Sequence, residues 1–154
     1  MNRPMRLGNR AMKEEKARKL LAECEYALFT TVDEEGAPHT VPVSPVVLGN
    51  ALYFHCAPAG EKLDNIQKNP QVCLCALGRT QVLQKEMTMA YESVVAQGKA
   101  RLAQGEEAQQ ALLAICQKYS PGHESEWEKE IEKFPMVQVV AVDLIHITGK
   151  SNRL

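Results

Sequence analysis

The 154-residue sequence lacks most of the features that announce a function. There is no basic excess: the formal net charge is −1, so non-specific nucleic-acid binding is not expected, a local basic patch being the one route left open. There is no long acidic block. No apolar run is long enough to cross a bilayer. Arg3, Arg6 and Arg10 lie in the first ten residues, but without the apolar stretch of a secretory signal. A soluble, cytoplasmic protein with no membrane partner is the expectation. Five cysteines leave at least one unpaired in any disulfide scheme within one chain, which argues against a secreted scaffold. Cys73 and Cys75 are two apart, not in zinc-knuckle spacing, and would share one face of a strand. They read as small buried hydrophobes, as do Cys24, Cys56 and Cys116.

Other absences narrow the chemistry. His123-Glu124 begins a metalloprotease-like pattern, but Trp127 stands where the second histidine belongs. The four histidines are widely spread, and no metal site is expected. No Gly-x-Ser-x-Gly elbow supports serine hydrolysis. No glycine-rich loop opens a helix directly after a strand, so the dinucleotide fingerprint is missing. There is no internal repeat and no low-complexity segment.

What is present is a junction. Phe54-His55-Cys56-Ala57-Pro58-Ala59-Gly60 runs into Glu61-Lys62-Leu63-Asp64. This reads as a strand end, a turn, and a short helix with a lysine in its first turn. Free N–H groups at a helix start attract anions, and the lysine adds a point charge. The junction therefore suggests a bound phosphate belonging to a cofactor.

Around it, the pattern predicts one domain over residues 1–154. A helix spans about 11–25, with Ala17, Leu20, Leu21 and Cys24 on one stripe. Strands follow over Tyr26–Val32 and His39–Val47, the second bulged by Pro42 and Pro45. A third strand, Ala51–Cys56, points Leu52, Phe54 and Cys56 one way and Tyr53 and His55 the other. A two-turn helix covers Glu61–Lys68 and stops at Asn69-Pro70. Gln71–Leu77 is a strand ending in a turn at Gly78-Arg79, and Met89–Leu102 is a strand with a bulge at Gly98. Helices are predicted at Gly105–Tyr119 and Glu124–Lys133. Pro135 precedes a last strand, Met136–Ile147. That strand is apolar on both faces, so a core covers one and a helix or second subunit the other. The short connections favour antiparallel pairing.

Each candidate site residue has a functional and a bland reading. Lys62 is a phosphate contact or a solvent-facing lysine. His55 is a ligand-bonding or proton-exchanging group, or a structural histidine bonded to a carbonyl. Tyr91 and Ser93 share a strand face; their hydroxyls suit a phosphate or sugar oxygen, or are routine sheet alternation. Trp127, the sole tryptophan, caps an aromatic ligand or a partner's pocket, or pins a short helix to the core.

Several stretches carry a family resemblance. They are Val41-Pro42-Val43, Leu52-Tyr53-Phe54-His55, Gly60-x-Lys62-Leu63-Asp64-x-Ile66 with Asn69-Pro70-x-Val72, Thr88-Met89-x-Tyr91-x-Ser93-Val94 with Gly98-x-Ala100, Tyr119-Ser120-Pro121, and Ile147-Thr148-Gly149-Lys150. In order and spacing the chain resembles the pyridoxamine 5'-phosphate oxidase-like FMN-binding proteins, and within them the nitroimidazole-resistance (Nim) branch. The resemblance implies a mainly β fold with helices: an FMN-binding split β-barrel, an antiparallel Greek-key barrel. It implies a homodimer with FMN at the subunit interface. Lys62 and Ser93 would contact the phosphate. Val41, Pro42 and Val43, with Tyr53, Phe54, His55 and Cys56, would line the flavin, and Tyr91 would join the cofactor site. His55 would be the catalytic residue near the ring, and Trp127 would reach across the dimer. The implied activity passes electrons from a reduced nicotinamide, NADH or NADPH, or another donor, to a small organic acceptor such as a 5-nitroimidazole. Two departures stand out: Cys56 replaces a frequent serine, and Met87 a frequent tryptophan. The alternatives are a non-enzymatic flavin- or haem-binding module, with His39, His55, His123 or His146 as axial ligand, and a deazaflavin-dependent reductase.

Overall fold

The computed structural model describes residues 3–132 and 136–153. Among them, eight strands form one antiparallel sheet: β1 (Ala11–Met12), β2 (Ala27–Val32), β3 (Pro38–Val43), β4 (Val46–Leu48), β5 (Ala51–Cys56), β6 (Gln71–Leu83), β7 (Thr88–Ala103) and β8 (Gln138–Asn152). The helices are α1 (Glu14–Glu23), α2 (Glu61–Lys68), α3 (Gly105–Tyr119) and α4 (Glu124–Glu132). The strand order is β3-β2-β6-β7-β8-β5-β4, with β1 paired to β8. No helix among the described residues is long and apolar enough to cross a membrane.

The sheet is open, which corrects the expectation of a split, Greek-key β-barrel. Its two end strands, β3 and β4, are not hydrogen-bonded to each other. The fold is mixed α/β with one large antiparallel sheet. Proline chemistry explains the open seam. Pro38 and Pro42 lie four apart on β3, so they address the same edge, and with no N–H to give, that edge must face away from β2. The outer edge of β3 therefore has almost no donors to offer another strand. The predicted single strand over His39–Val47 accordingly divides at Ser44 and the fully buried Pro45 into β3 and β4, at opposite ends of the sheet.

The sheet still bends strongly. Phe29 of β2 and Phe54 of β5, with β6, β7 and β8 between them in the strand order, meet edge-to-face at 4.9 Å. Around this pair lies the main core, where Val72, Leu74, Val94, Ala96, Val140 and Val142 pack with Ala17 and Leu21 of α1 and Leu63 and Ile66 of α2. The opposite face of β5 and β8 presents Tyr53, Val139 and Ala141 to Ala108, Ala111, Leu112 and Ile115 of α3. This is the double cover that the apolar faces of the last strand predict, with a helix as the second layer.

The helix predicted from residue 11 begins instead at Glu14, because Ala11 and Met12 pair with Lys150 and Gly149. A Cβ at Gly149 would lie 2.7 Å from the Ala17 Cβ and 2.9 Å from that of Met12, so only glycine admits this close approach. The turn predicted at Gly78-Arg79 is also absent: β6 continues to Leu83 with a register shift between Leu77 and Thr80. Gly78 makes room for Leu20 of α1, whose Cδ1 would lie 2.9 Å from an added Cβ. The irregularity predicted at Gly98 is present, but β8 supplies the extra residue, Ile145, opposite the Gln97–Gly98 step. The last strand runs on to Asn152. Lys133 and Pro135 lie outside the described residues.

Candidate functional site

Short β4 creates the site. It pairs only with Ala51, Leu52 and Tyr53, so the end of β5 extends beyond it on that side. A cavity of about 390 Å3 opens there, lined by Pro42, Val43, Ser44, His55, Cys56 and Lys62, with Tyr26 beside them. It therefore sits on the open seam, where the end of β3 faces the end of β5. Residues 43–44, 55–56 and 62 come together because two proline-marked turns and one short helix converge.

Lys62 is placed by α2. Gly60, at φ 147°, makes a bend suited to glycine, and no side chain caps the helix. The Gly60 carbonyl accepts from the N–H groups of Leu63 (2.9 Å) and Asp64 (3.2 Å). The N–H groups of Glu61 and Lys62 remain at the positive end of the helix. Glu61 leans to His39, with 3.4 Å between Oε1 and Nδ1. Lys62 is half-buried and, among the described residues, forms no ion pair. The helix is held in place from below, where the buried Asn65 amide donates to the Thr31 hydroxyl at 3.0 Å.

The thiol of Cys56 is pushed up by burial, an effect that the Lys62 ammonium partly offsets. Burial raises the other four thiols as well, so all five favour the uncharged form, but only Cys24 is fully buried as expected, the other four being half-buried. The cavity thus combines a cation with no ion-pair partner among the described residues, a neutral thiol and an imidazole, next to the first turn of α2. That donor set fits an anionic group such as a phosphate.

The family model described as pyridoxamine 5'-phosphate oxidase matches residues 13–150. The chain belongs to the pyridoxamine 5'-phosphate oxidase family. No curated protein matches it significantly. Among solved structures, a candidate 5-nitroimidazole antibiotic resistance protein from Bacteroides thetaiotaomicron is similar at TM-score 0.76 and 23% identity, over 91% of this chain and 85% of that one. A flavocytochrome from Azotobacter vinelandii gives TM-score 0.76 at 21% identity, covering 98% of this chain and 73% of its own. The haem storage protein of Vibrio cholerae gives 0.66 at 13% identity, over 88% and 94%. At these identities the likeness is one of fold.

Within this family member, the sequence-predicted site residues divide into groups. Pro42, Val43, His55, Cys56 and Lys62 share the seam cavity. Val41 packs against the main core, and Phe54 lies within it, fully buried. Tyr53 lies beneath α3, its hydroxyl donating to Glu107 at 2.8 Å. Tyr91 and Ser93 lie on β7 opposite Asn152 and Lys150, and the seam cavity does not include them. Trp127 gives its indole N–H to the Ser120 carbonyl of the same chain at 3.1 Å, joining α4 to the end of α3. Sequence reasoning missed Tyr26 and Ser44. Ser44 was marked only by its place between Pro42 and Pro45, and exposed Tyr26 by nothing that distinguishes it from a strand start.

Proposed function

We propose that this protein is a flavoprotein that binds FMN with its phosphate at the Lys62 corner. It passes electrons from a reduced nicotinamide, or another donor, to a small organic acceptor. The observation that carries the reading is Lys62: a half-buried ammonium without a counter-ion among the described residues, beside open N–H groups of α2 and in the same cavity as His55. The likeness to the Bacteroides protein, named for 5-nitroimidazole antibiotic resistance, makes these compounds the first acceptors to test.

A flavin, when bound, supplies the electron transfer itself. The chain's residues do the rest. Lys62 and the first N–H groups of α2 hold the anion. Ser44 and the Cys56 thiol add neutral polar contacts. His55, exposed at the strand end, presents a ring N–H to the acceptor side, and Pro42 and Val43 give an apolar wall.

The proposal extends to a second copy of the chain. α3 packs over β4, β5 and β8 at one end of its face of the sheet. On the rest, Leu28, Cys75, Val95 and Thr148 form one cross-strand row, and Leu77, Ser93 and Lys150 the next. Leu28, Leu77 and Val95 are all exposed. A homodimer through this face would bury that row. It would also bring Tyr91 and Ser93 of one copy toward the seam of the other, the arrangement required if Lys62 and Ser93 are to share one phosphate.

Mass spectrometry and absorption of the small molecule carried by the purified protein test the cofactor. FMN supports the reading; an intense haem Soret band with no flavin would replace it. Lys62→Ala should weaken FMN binding by about 1–3 kcal/mol, the range for a charge-assisted contact. Unchanged affinity would remove Lys62 from the site.

A further inference from the structure

A second cavity, of about 240 Å3, lies between α3, α4 and the end of β5. His55 lines it as well as the seam cavity, so one imidazole borders two chambers. The chambers differ in chemistry. The seam holds a lysine, a serine and a thiol. The second also has a serine and a thiol, Ser120 and Cys116, but no cation; Leu112, Ile115 and Tyr119 of α3, Ile131 of α4, and Val137 make most of its wall apolar.

Tyr119 offers it a ring rather than a hydroxyl. That hydroxyl reaches the carbonyls of Pro45 (2.8 Å) and Glu25 (2.9 Å). The neighbouring Lys118 is directed away in the same manner, donating to the carbonyls of Cys24 and Pro45 at 2.7 Å each. The Trp127–Ser120 bond holds α4 over one side. Size then selects the occupant. An apolar cavity of about 150 Å3 accepts benzene. A site for a drug-sized, multi-ring ligand starts near roughly 300 Å3. A chamber of about 240 Å3 fits a single substituted ring and not a three-ring flavin. Its mostly apolar walls disfavour a charged guest, whose lost hydration they cannot replace.

We propose that this cavity binds a neutral, single-ring aromatic molecule with its polar substituent turned to His55. That this molecule is the electron acceptor rests on the flavin reading above; the binding itself does not. With a nitroarene the reaction would balance: the reduced flavin's two electrons and two protons enter the nitro group, giving a nitroso group and one water.

Nitrobenzene is the probe, titrated into the protein as purified, with methyl resonances of Leu112, Ile115, Ile131 and Val137 observed by NMR. Those methyls should shift together. Ile131→Trp, placed on half-exposed α4, should fill the chamber and weaken nitrobenzene binding at least tenfold while leaving FMN affinity unchanged. Val137→Phe serves the same purpose from the other wall. His55→Ala should erase the preference for nitrobenzene over toluene. Shifts confined to other parts of the chain, or affinity unaltered by both filling variants, would overturn the assignment. If these methyls shift in a protein that neither carries nor accepts FMN, the chamber stands and only its acceptor role falls. If FMN binds and the methyls do not respond, the flavin reading stands and the chamber falls.

Discussion

Single residues in this chain act through distances that leave little room. At Gly98 an added Cβ would lie 2.3 Å from the Asp143 carbonyl oxygen, which is backbone and cannot swing aside. Gly98→Ala should therefore destabilise the fold by about 3 kcal/mol in urea unfolding, at the upper end of overpacking penalties. Gly8→Ala, which meets nothing within 4 Å, should be nearly silent. A charged example lies at the start of α3. The Arg101 guanidinium, joined by the Tyr53 hydroxyl, holds the Glu107 carboxyl at about 2 instead of its ordinary 4.5. As pH falls through that window, the unfolded chain takes up the proton first, so the contribution of Glu107 to stability is present above about 4.5 and lost toward about 2. Acid titration of the thermal midpoint should show wild type and Glu107→Gln converging over this range. A constant gap would mean that the Arg101 contact adds nothing. A single residue's place was readable in the sequence wherever its neighbours along the chain are also its neighbours in space. Lys62 follows Gly60 closely, and the spacing alone placed it in the first turn of a helix. The partner of the Tyr53 hydroxyl, Glu107, lies far along the chain, and local pattern did not show it.

At the level of elements, α3 is the clamp. Lys118 and Tyr119, in its last turn, bond to carbonyls of Cys24, Glu25 and Pro45, and so bind the start of β2 to the corner that separates β3 from β4. Burial pushes the Tyr119 hydroxyl up to about 12 from 10. The folded state keeps a proton that the unfolded chain releases first, so stability should decline as pH rises between these values. Tyr119→Phe should cost about 1 kcal/mol at neutral pH and flatten that alkaline decline, as read by denaturant melts at stepped pH. An alkaline limb identical to wild type would show that Tyr119 is not its source. Helices were legible in the sequence because their stripes are local: Ala108, Leu112 and Ile115 recur at helical spacing and are all buried. Glycines and prolines were less so, because one residue type serves different ends. Gly78 looked like a turn and is a site of close packing. Pro42 and Pro45 looked like a bulge in one strand and are the reason there are two.

The whole molecule is an open sheet bent far enough for Phe29 to touch Phe54, with its seam kept unpaired by prolines and the Lys62 cavity lying on that seam. Closure could not be read from the sequence, since it depends on whether two remote edges have donors to share. Antiparallel order was legible from connection lengths. If the row through Leu28, Cys75 and Val95 is a subunit contact, Val95→Lys should convert a dimer to monomers in sedimentation and lower FMN affinity with it. Monomers that keep full affinity would confine the site to one chain. The most direct measurement of the central claim is the phosphorus NMR signal of FMN bound to the native protein and to Lys62→Ala. A phosphate held by the Lys62 ammonium and the first turn of α2 should give a bound resonance that moves, or is lost, in the variant. Tight FMN binding with the same resonance in both proteins would place the phosphate elsewhere and contradict the account.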